Sequence, residues 1–91
     1  MKIKEFFSTK EKWTQKTSAR DKNGKWVSIN DNNASCWCLF GAINKCYSDE
    51  DSRRRVIIKV KSYIGDKIAS WNDDENRTFE EVKALCEKLD I

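Results

Sequence analysis

The segment from Cys36 to Tyr47 constrains the fold more than any other part of this chain. Nine of its twelve residues are apolar, whereas only 38% of the whole chain is apolar. A helix that is apolar on every side is normally buried at the centre of a domain. We therefore predict a central helix over about residues 34–47, for which Asp31, Asn32 and Asn33 are the N-cap candidates.

A second helix is predicted over about residues 49–64. Val56, Val60 and Ile64 recur at helical spacing and would form one apolar face. Part of residues 56–63 also alternates like a strand, and the sequence leaves this choice open, although the length of the segment favours the helix. Acidic residues at its start and basic residues further along suit the helix macrodipole.

The clearest helix is predicted over about residues 78–89. Thr78 and Glu81 have the spacing of a capping box, in which each side chain satisfies a free backbone N–H at the helix start. The apolar residues that follow fall on one stripe, which is typical of an amphipathic helix packed on a core. The stripe consists of Phe79, Val82, Leu85, Cys86 and Leu89.

A β-hairpin is predicted over about residues 13–29. Asn23 and Gly24 form a dipeptide that tolerates the positive φ angles of tight hairpin turns. The flanking segments, roughly 13–20 and 25–29, contain residues that favour strands, namely Trp, Thr, Val and Ile. A two-stranded hairpin is only marginally stable alone, so it must pack on the helices.

Together these elements predict an α+β fold, mainly α, in which three to four helices pack on a two-stranded antiparallel β-hairpin. Ninety-one residues suit one domain, spanning 1–91. The chain has four Trp, four Phe and two Tyr residues, each of which can bury a large area. We therefore expect a small core built largely from aromatic side chains.

Three of the four cysteines lie within residues 36–46, which raises the question of a metal site or a reactive thiol. Zinc-binding pairs are usually spaced C-x2-C, whereas Cys36 and Cys38 would point about 200° apart on a helix. The chain has no histidine to complete a metal site or to activate a cysteine nucleophile. We expect no metal and no cofactor, and we expect the cysteines to act as buried apolar side chains.

The charge is distributed unevenly along the chain. Residues 1–25 carry eight basic and three acidic side chains, a net +5, and residues 62–91 carry four basic and eight acidic ones, a net −4. This asymmetry points to nucleic acid or a charged protein as the partner. A basic cluster between these regions would fan out around the predicted helix, at about 100° per residue. The cluster consists of Arg53, Arg54, Arg55, Lys59 and Lys61.

Hydropathy predicts no membrane partner. No run of about 18 apolar residues is present, so no membrane-spanning helix is expected. The first residues lack the apolar stretch of a secretory signal. We therefore expect a cytoplasmic protein with reduced thiols.

Four short motifs follow one another after residue 18: an A-R-D-x-x-G turn, a W-C-x-x-G-A helix, a W-N-D turn and an R-T-x-x-E-V helix start. Their residues are Ala19, Arg20, Asp21, Gly24, Trp37, Cys38, Gly41, Ala42, Trp71, Asn72, Asp73, Arg77, Thr78, Glu81 and Val82. In this order the motifs resemble a family of small, uncharacterised proteins of phages and bacteria. The resemblance implies a mainly helical fold with a hairpin, and it implies no activity. Of the clustered cysteines, only Cys38 belongs to the pattern.

Our first hypothesis is a small non-enzymatic interaction protein, encoded by a phage or mobile element, that binds and modulates a host protein as an inhibitor or anti-defence factor. It rests on the small size, the lack of a catalytic constellation and the resemblance. One alternative is nucleic-acid binding through the basic N-terminal half and Arg53–Arg55. A second alternative is an enzyme that uses Cys38, with Asn72 and Asp73 as further candidates. Besides the basic cluster, the predicted binding residues are Arg20, Trp71 and Arg77.

Overall fold

The computed structural model describes residues 1–91 as five α-helices and a small antiparallel sheet of two strands. This architecture confirms the predicted α+β fold class with mainly α content. A single 3₁₀ turn at Lys10–Lys12 precedes the sheet. The helices are α1 (Ile3–Phe6), α2 (Leu39–Cys46), α3 (Glu50–Ile64), α4 (Ile68–Asp73) and α5 (Phe79–Leu89), and the strands are β1 (Ala19–Asp21) and β2 (Ala34–Trp37).

The two longest helices lie where the sequence predicts helices. In α3, the Asp49 side chain caps the N-terminus by accepting a hydrogen bond from a backbone N–H three residues later, at 2.9 Å. The helix continues without interruption as far as Gly65, so residues 56–63 are helical and do not form a strand. In α5, Thr78 and Glu81 form the expected capping box.

The predicted hairpin forms only in part. Residues 25–27 return along β1, where the Asp21 N–H donates to the Lys25 carbonyl oxygen at 2.9 Å and the Val27 N–H donates to the Ala19 carbonyl oxygen at 3.1 Å, but the second strand of the sheet is β2. The turn at Gly24 does form, because its N–H donates to the Asp21 carbonyl oxygen at 3.0 Å and its φ angle is +85°. Beyond that turn the chain makes an isolated bridge between Trp26 and Arg20, which does not extend into a strand.

Burial explains this choice of partner strand. Trp37 of β2 is buried against Phe6, with the two ring centroids 4.7 Å apart. Trp26, from the predicted second strand, remains 69% exposed. The buried contact of Trp37 joins segments distant in sequence, and a local turn signal carries no information about such a contact.

The predicted start of the central helix is also wrong. Residues 34–37 form β2, and α2 begins at Leu39, with Cys38 as its N-cap. None of the three N-cap candidates before β2 caps a helix; Asp31 closes a turn by accepting the Asn33 N–H at 2.7 Å. β2 has only four residues and leads directly into the apolar run of α2, so periodicity alone cannot find the boundary between them.

The W-N-D motif lies in a helix and not in the turn that the sequence predicts. Trp71, Asn72 and Asp73 form the last part of α4. The turn follows immediately, where the Asp74 side chain accepts the Asn76 N–H at 2.9 Å. Asn72 and Asp73 therefore belong to the end of the helix, and it is the Asp74 side chain that closes the turn.

The core is mainly aliphatic, and the expectation of an aromatic core is wrong. Only two of the ten aromatic side chains, Phe7 and Trp37, are buried. α2 packs so closely on the segment before β1 that a Cβ atom on Gly41 would lie 2.3 Å from the Ser18 carbonyl oxygen. The fully buried aliphatic side chains of larger size are Ile3, Leu39, Ile43, Val60, Val82 and Ile91.

Candidate functional site

Asn72 is the only buried polar residue, and its side chain is completely enclosed. Its Oδ1 accepts hydrogen bonds from the Trp13 indole N–H at 2.7 Å and the Leu39 backbone N–H at 3.0 Å. Its Nδ2 donates to the Thr14 carbonyl oxygen at 3.2 Å and to Asp73 Oδ1 at 2.9 Å. These bonds use both donors and both lone pairs of the amide. Asn72 therefore ties α4 to the start of α2 and to the loop before β1.

Asp73 holds the same loop from the next position of α4. Its Oδ1 accepts the Lys16 backbone N–H at 2.8 Å. Lys16 has a φ angle of +71°, a left-handed conformation that residues other than glycine seldom adopt. Gln15 adds two bonds from its Nε2, to the carbonyl oxygens of Asn72 and Asp74 at 2.8 and 2.9 Å. The loop is therefore fixed to α4 by side chains from both partners.

Cys38 lies next to this network, because the following residue, Leu39, donates its N–H to Asn72. The Cys38 sulfur accepts a hydrogen bond from the Gly41 N–H at 3.2 Å and so caps α2. Burial raises the pKa of the Cys38 thiol, which keeps it protonated at neutral pH, and the thiolate is the nucleophilic form. The structure brings Cys38, Asn72 and Asp73 together, and each of the three has a structural bond there.

The other cysteines are also free thiols. Cys36 lies on β2, so the helical angle that would separate it from Cys38 does not apply. Burial raises the pKa of Cys46 to about 11 and that of Cys86 to about 12. No three cysteine or carboxylate side chains lie close enough together to hold a metal ion.

All three guanidinium nitrogens of Arg20 donate hydrogen bonds within the chain. Its Nε donates to the Thr14 hydroxyl at 3.1 Å. One terminal nitrogen donates to the Gly24 carbonyl oxygen at 3.0 Å, and the other donates to the Gln15 carbonyl oxygen at 3.2 Å. This motif arginine therefore joins the loop before β1 to the turn after it.

Arg77 and Trp71, two further predicted binding residues, contact each other. The Arg77 guanidinium lies 3.9 Å from the centroid of the Trp71 ring, in a cation–π contact. Its Nε donates to the Trp71 carbonyl oxygen at 2.9 Å, and a terminal nitrogen lies 3.3 Å from the Glu81 carboxylate. Arg77 thus bridges the end of α4 and the start of α5.

The basic cluster of α3 is divided between two surfaces. Arg55 and Lys59 line a depression beside the C-terminal residues. Arg53, Arg54 and Lys61 line a groove on the outward side of the helix. The five cations are therefore distributed over two surfaces of α3.

An apolar groove of about 420 Å³ lies between α2, α3 and the start of α4. Its apolar walls include Phe40, Ile57 and Ile68. A second groove of about 390 Å³ adjoins it and shares Ile57 and Lys61. Phe40 is 43% exposed, and Ile58, in the second groove, is 61% exposed. We call this surface the α3 face, and it consists of Phe40, Ile57, Ile58, Ile68, Arg53, Arg54, Lys61 and Lys67.

The rim of the α3 face is predominantly basic. Four cationic and two acidic side chains line the two grooves, which leaves a net charge of +2. A single ion pair forms among them, between Arg54 and Glu50 at 3.3 Å. The cations are Arg53, Arg54, Lys61 and Lys67, and the acids are Glu50 and Asp66.

Sequence reasoning missed the α3 face, since it placed Phe40 in the core and did not single out Ile58. One signal was available. Adjacent residues on a helix point about 100° apart, so Ile57 and Ile58 cannot both follow Val56 into the core. The residues that form hydrogen bonds with Asn72, in contrast, could not be predicted from the sequence, because they come from segments far apart in it.

Comparisons with known proteins identify a family and no activity. No curated protein and no solved structure matches the chain significantly. None of the helices is long and apolar enough to cross a membrane. Residues 5–89 match the family of unknown function DUF6197, which confirms the resemblance to an uncharacterised family. The protein therefore belongs to the DUF6197 family.

Proposed function

We propose that this protein is a non-enzymatic interaction protein that binds and modulates a host protein in the cytoplasm, as an inhibitor or anti-defence factor encoded by a phage or mobile element. The contact surface is the α3 face. The observation that carries the proposal is the exposure of Phe40 and Ile58 beside an open apolar groove. A contiguous exposed apolar patch with a polar rim is typical of protein-binding surfaces.

The hydrogen bonds of the motif residues support a surface function. Asn72 and Asp73 bind the loop before β1, and Arg20 binds the same loop from the sheet. Cys38 caps α2 with a protonated thiol. Because these groups are engaged in stabilising the fold of this chain, we propose that the partner is recognised by other residues.

A protein is favoured over nucleic acid as the partner. The α3 face has apolar side chains at its centre and charges around them, which is the usual arrangement of a protein–protein interface. Nucleic-acid surfaces instead need cations that follow the phosphates, and Arg55 and Lys59 face away from Arg53 and Lys61. The net +2 of the rim favours a partner with an acidic contact surface.

Site-specific photocrosslinking tests this proposal. A photoreactive phenylalanine analogue replaces Phe40 or Ile58 in the full chain, expressed in the cell in which the gene occurs. The control position is Tyr63, which is 53% exposed and lies beside a different groove. We expect the same protein to be crosslinked from positions 40 and 58 and not from position 63.

The crosslinked protein is then purified, and its affinity is measured for the wild type, Phe40→Asp and Tyr63→Asp. Phe40 lies in the first turn of α2, where an acidic residue suits the helix dipole, so the variant should fold. Equal thermal midpoints check this. We expect binding to weaken at least tenfold in Phe40→Asp and to be unchanged in Tyr63→Asp. The absence of a crosslink at positions 40 and 58, or equal affinities for all three chains, overturns the proposal.

A further inference from the structure

The outward side of α3 forms a regular stripe of side chains. Its members are spaced i, i+3, i+4, i+7, i+8 and i+11, which places them on one side of an α-helix. At 1.5 Å per residue the stripe is about 16 Å long, or three helical turns. Rows of side chains at this spacing form the ridges and grooves into which a second helix packs. The members are Glu50, Arg53, Arg54, Ile57, Ile58 and Lys61.

The sheet gives a partner no comparable place to bind. A peptide that adds a strand needs a free sheet edge. On the outer edge of β1, the Asp21 N–H donates to the Lys25 carbonyl oxygen at 2.9 Å. On the outer edge of β2, the Trp37 carbonyl oxygen accepts the Thr14 N–H at 3.0 Å. The chain itself therefore occupies these positions on both edges, which disfavours strand addition there.

The charges along the stripe determine what kind of helix fits. Lys61 lies at its end and forms no ion pair within the chain, whereas Arg53, near its start, donates through one terminal nitrogen to the carbonyl oxygens of Tyr47 and Ser48 at 3.2 and 3.1 Å. The apolar groove at Phe40 and Ile68 adjoins the stripe and can hold a bulky apolar side chain. A second copy of this chain fits less well than an acidic helix. In an antiparallel pair Glu50 would lie opposite Lys61, but each α3 face carries a net charge of +2, so the two faces repel each other overall.

We infer that the α3 face binds one acidic amphipathic helix of about three turns, an inference that rests on the proposed function and names the occupant of its site. One apolar side chain of that helix enters the groove between Phe40 and Ile68. Its carboxylates lie against Arg54 and Lys61. The partner is thus recognised by a helix with an apolar side and acidic flanks, as in other helix-in-groove interactions.

A peptide library tests this inference even while the partner is unidentified. Fifteen-residue, alanine-based helical peptides with randomised positions are displayed and selected against the full chain. A parallel selection uses the double variant Arg54→Glu and Lys61→Glu, which reverses two charges on an exposed helix surface. Circular dichroism verifies that the variant is folded. Affinities of the enriched peptides are then measured for the wild type, Phe40→Asp and Tyr63→Asp.

We expect the wild type to enrich peptides that combine an apolar side with Asp and Glu, and the charge-reversed variant to enrich Lys and Arg instead. Phe40→Asp should bind the wild-type peptides at least tenfold more weakly, and Tyr63→Asp should bind them equally well.

Enriched peptides that depend on Phe40 but lack acidic residues overturn the inference and leave the proposed function standing. A monomer–dimer equilibrium that Phe40→Asp abolishes identifies a second copy as the occupant and overturns the inference as well. Binders that are insensitive to Phe40 overturn both.

Discussion

The side-chain oxygen of Asn72 accepts the backbone N–H of Leu39 at 3.0 Å, across 33 positions of sequence. Leu39 is the first residue of α2, and the first N–H groups of a helix have no partner within it. Asn72 satisfies one of these groups from α4 and at the same time receives the indole N–H of Trp13. One buried amide thus joins two helices and the loop before β1.

Replacing Asn72 by alanine should destabilise the protein severely. The change leaves the Leu39 N–H, the Trp13 indole and the Thr14 carbonyl oxygen without their partner in a buried site. We expect the free energy of unfolding to fall by about 2–4 kcal/mol, measured by urea denaturation. Asn32→Ala, at an exposed position, is the control and should change it by less than about 0.5 kcal/mol. Similar effects for the two variants would contradict the role assigned to Asn72.

Gly41→Ala should also destabilise, although alanine has the higher helix propensity by about 1 kcal/mol. The added Cβ would meet the Ser18 carbonyl oxygen at 2.3 Å, and a backbone atom cannot move aside easily. We expect a net loss of about 1–3 kcal/mol in the free energy of unfolding, as for other overpacked sites. Lys45→Ala, exposed on the same helix, should be neutral within about 0.5 kcal/mol. A Gly41→Ala protein that is more stable than the wild type would show that α2 can move away from β1.

Cys38 variants separate a capping role from a chemical one. Serine can accept the Gly41 N–H as the sulfur does, so Cys38→Ser should keep the stability within about 0.5 kcal/mol. Cys38→Ala loses the cap, and we expect a fall of about 1 kcal/mol. Thermal denaturation of the two variants gives the comparison. If Cys38→Ser retained full stability but lost binding to the crosslinked partner, the thiol would have a function beyond capping.

The buried thiols make the protein sensitive to alkaline pH. Burial raises the pKa of Cys86 from its ordinary 9.0 to about 12, so above pH 9 the unfolded chain loses the proton while the folded chain keeps it. The stabilisation is complete below pH 9 and is lost as the pH rises toward 12. We expect the free energy of unfolding to fall by about 1–2 kcal/mol between pH 8.5 and pH 10.5 from this thiol. Urea titrations at both pH values measure the change, and Cys86→Val should show a smaller one. An equal slope in Cys86→Val would assign the effect to other groups.

The helices that the sequence predicts well are those with local signals. The capping box of Thr78 and Glu81 and the apolar stripe after it lie within a few turns of one another, so α5 needs no information from distant residues. The same holds for α3, which has Asp49 at its start and Gly65 at its end. Short-range hydrogen bonds and 3.6-residue periodicity are properties of the segment itself.

The candidate site is much harder to predict. The resemblance draws attention to Asn72 and Asp73, but no pattern in the sequence marks Trp13 or Lys16 as their partners. The α3 face is assembled from α2, α3 and α4, so no single segment carries its pattern. Phe40 in particular belongs to an apolar run and would be expected inside, yet it lines a surface groove and is 43% exposed.

By itself, the sequence determined the mainly helical class, the positions of α3 and α5 and the turn at Gly24, because each depends on neighbouring residues. Only the tertiary structure decided that residues 34–37 form a strand paired with β1, that Cys38 starts α2, and that the amide of Asn72 is buried. Those outcomes depend on which segments, distant in the sequence, pack together and bury apolar surface. Where the two disagree, the free energy of that burial exceeds the local preference of a segment for helix or strand.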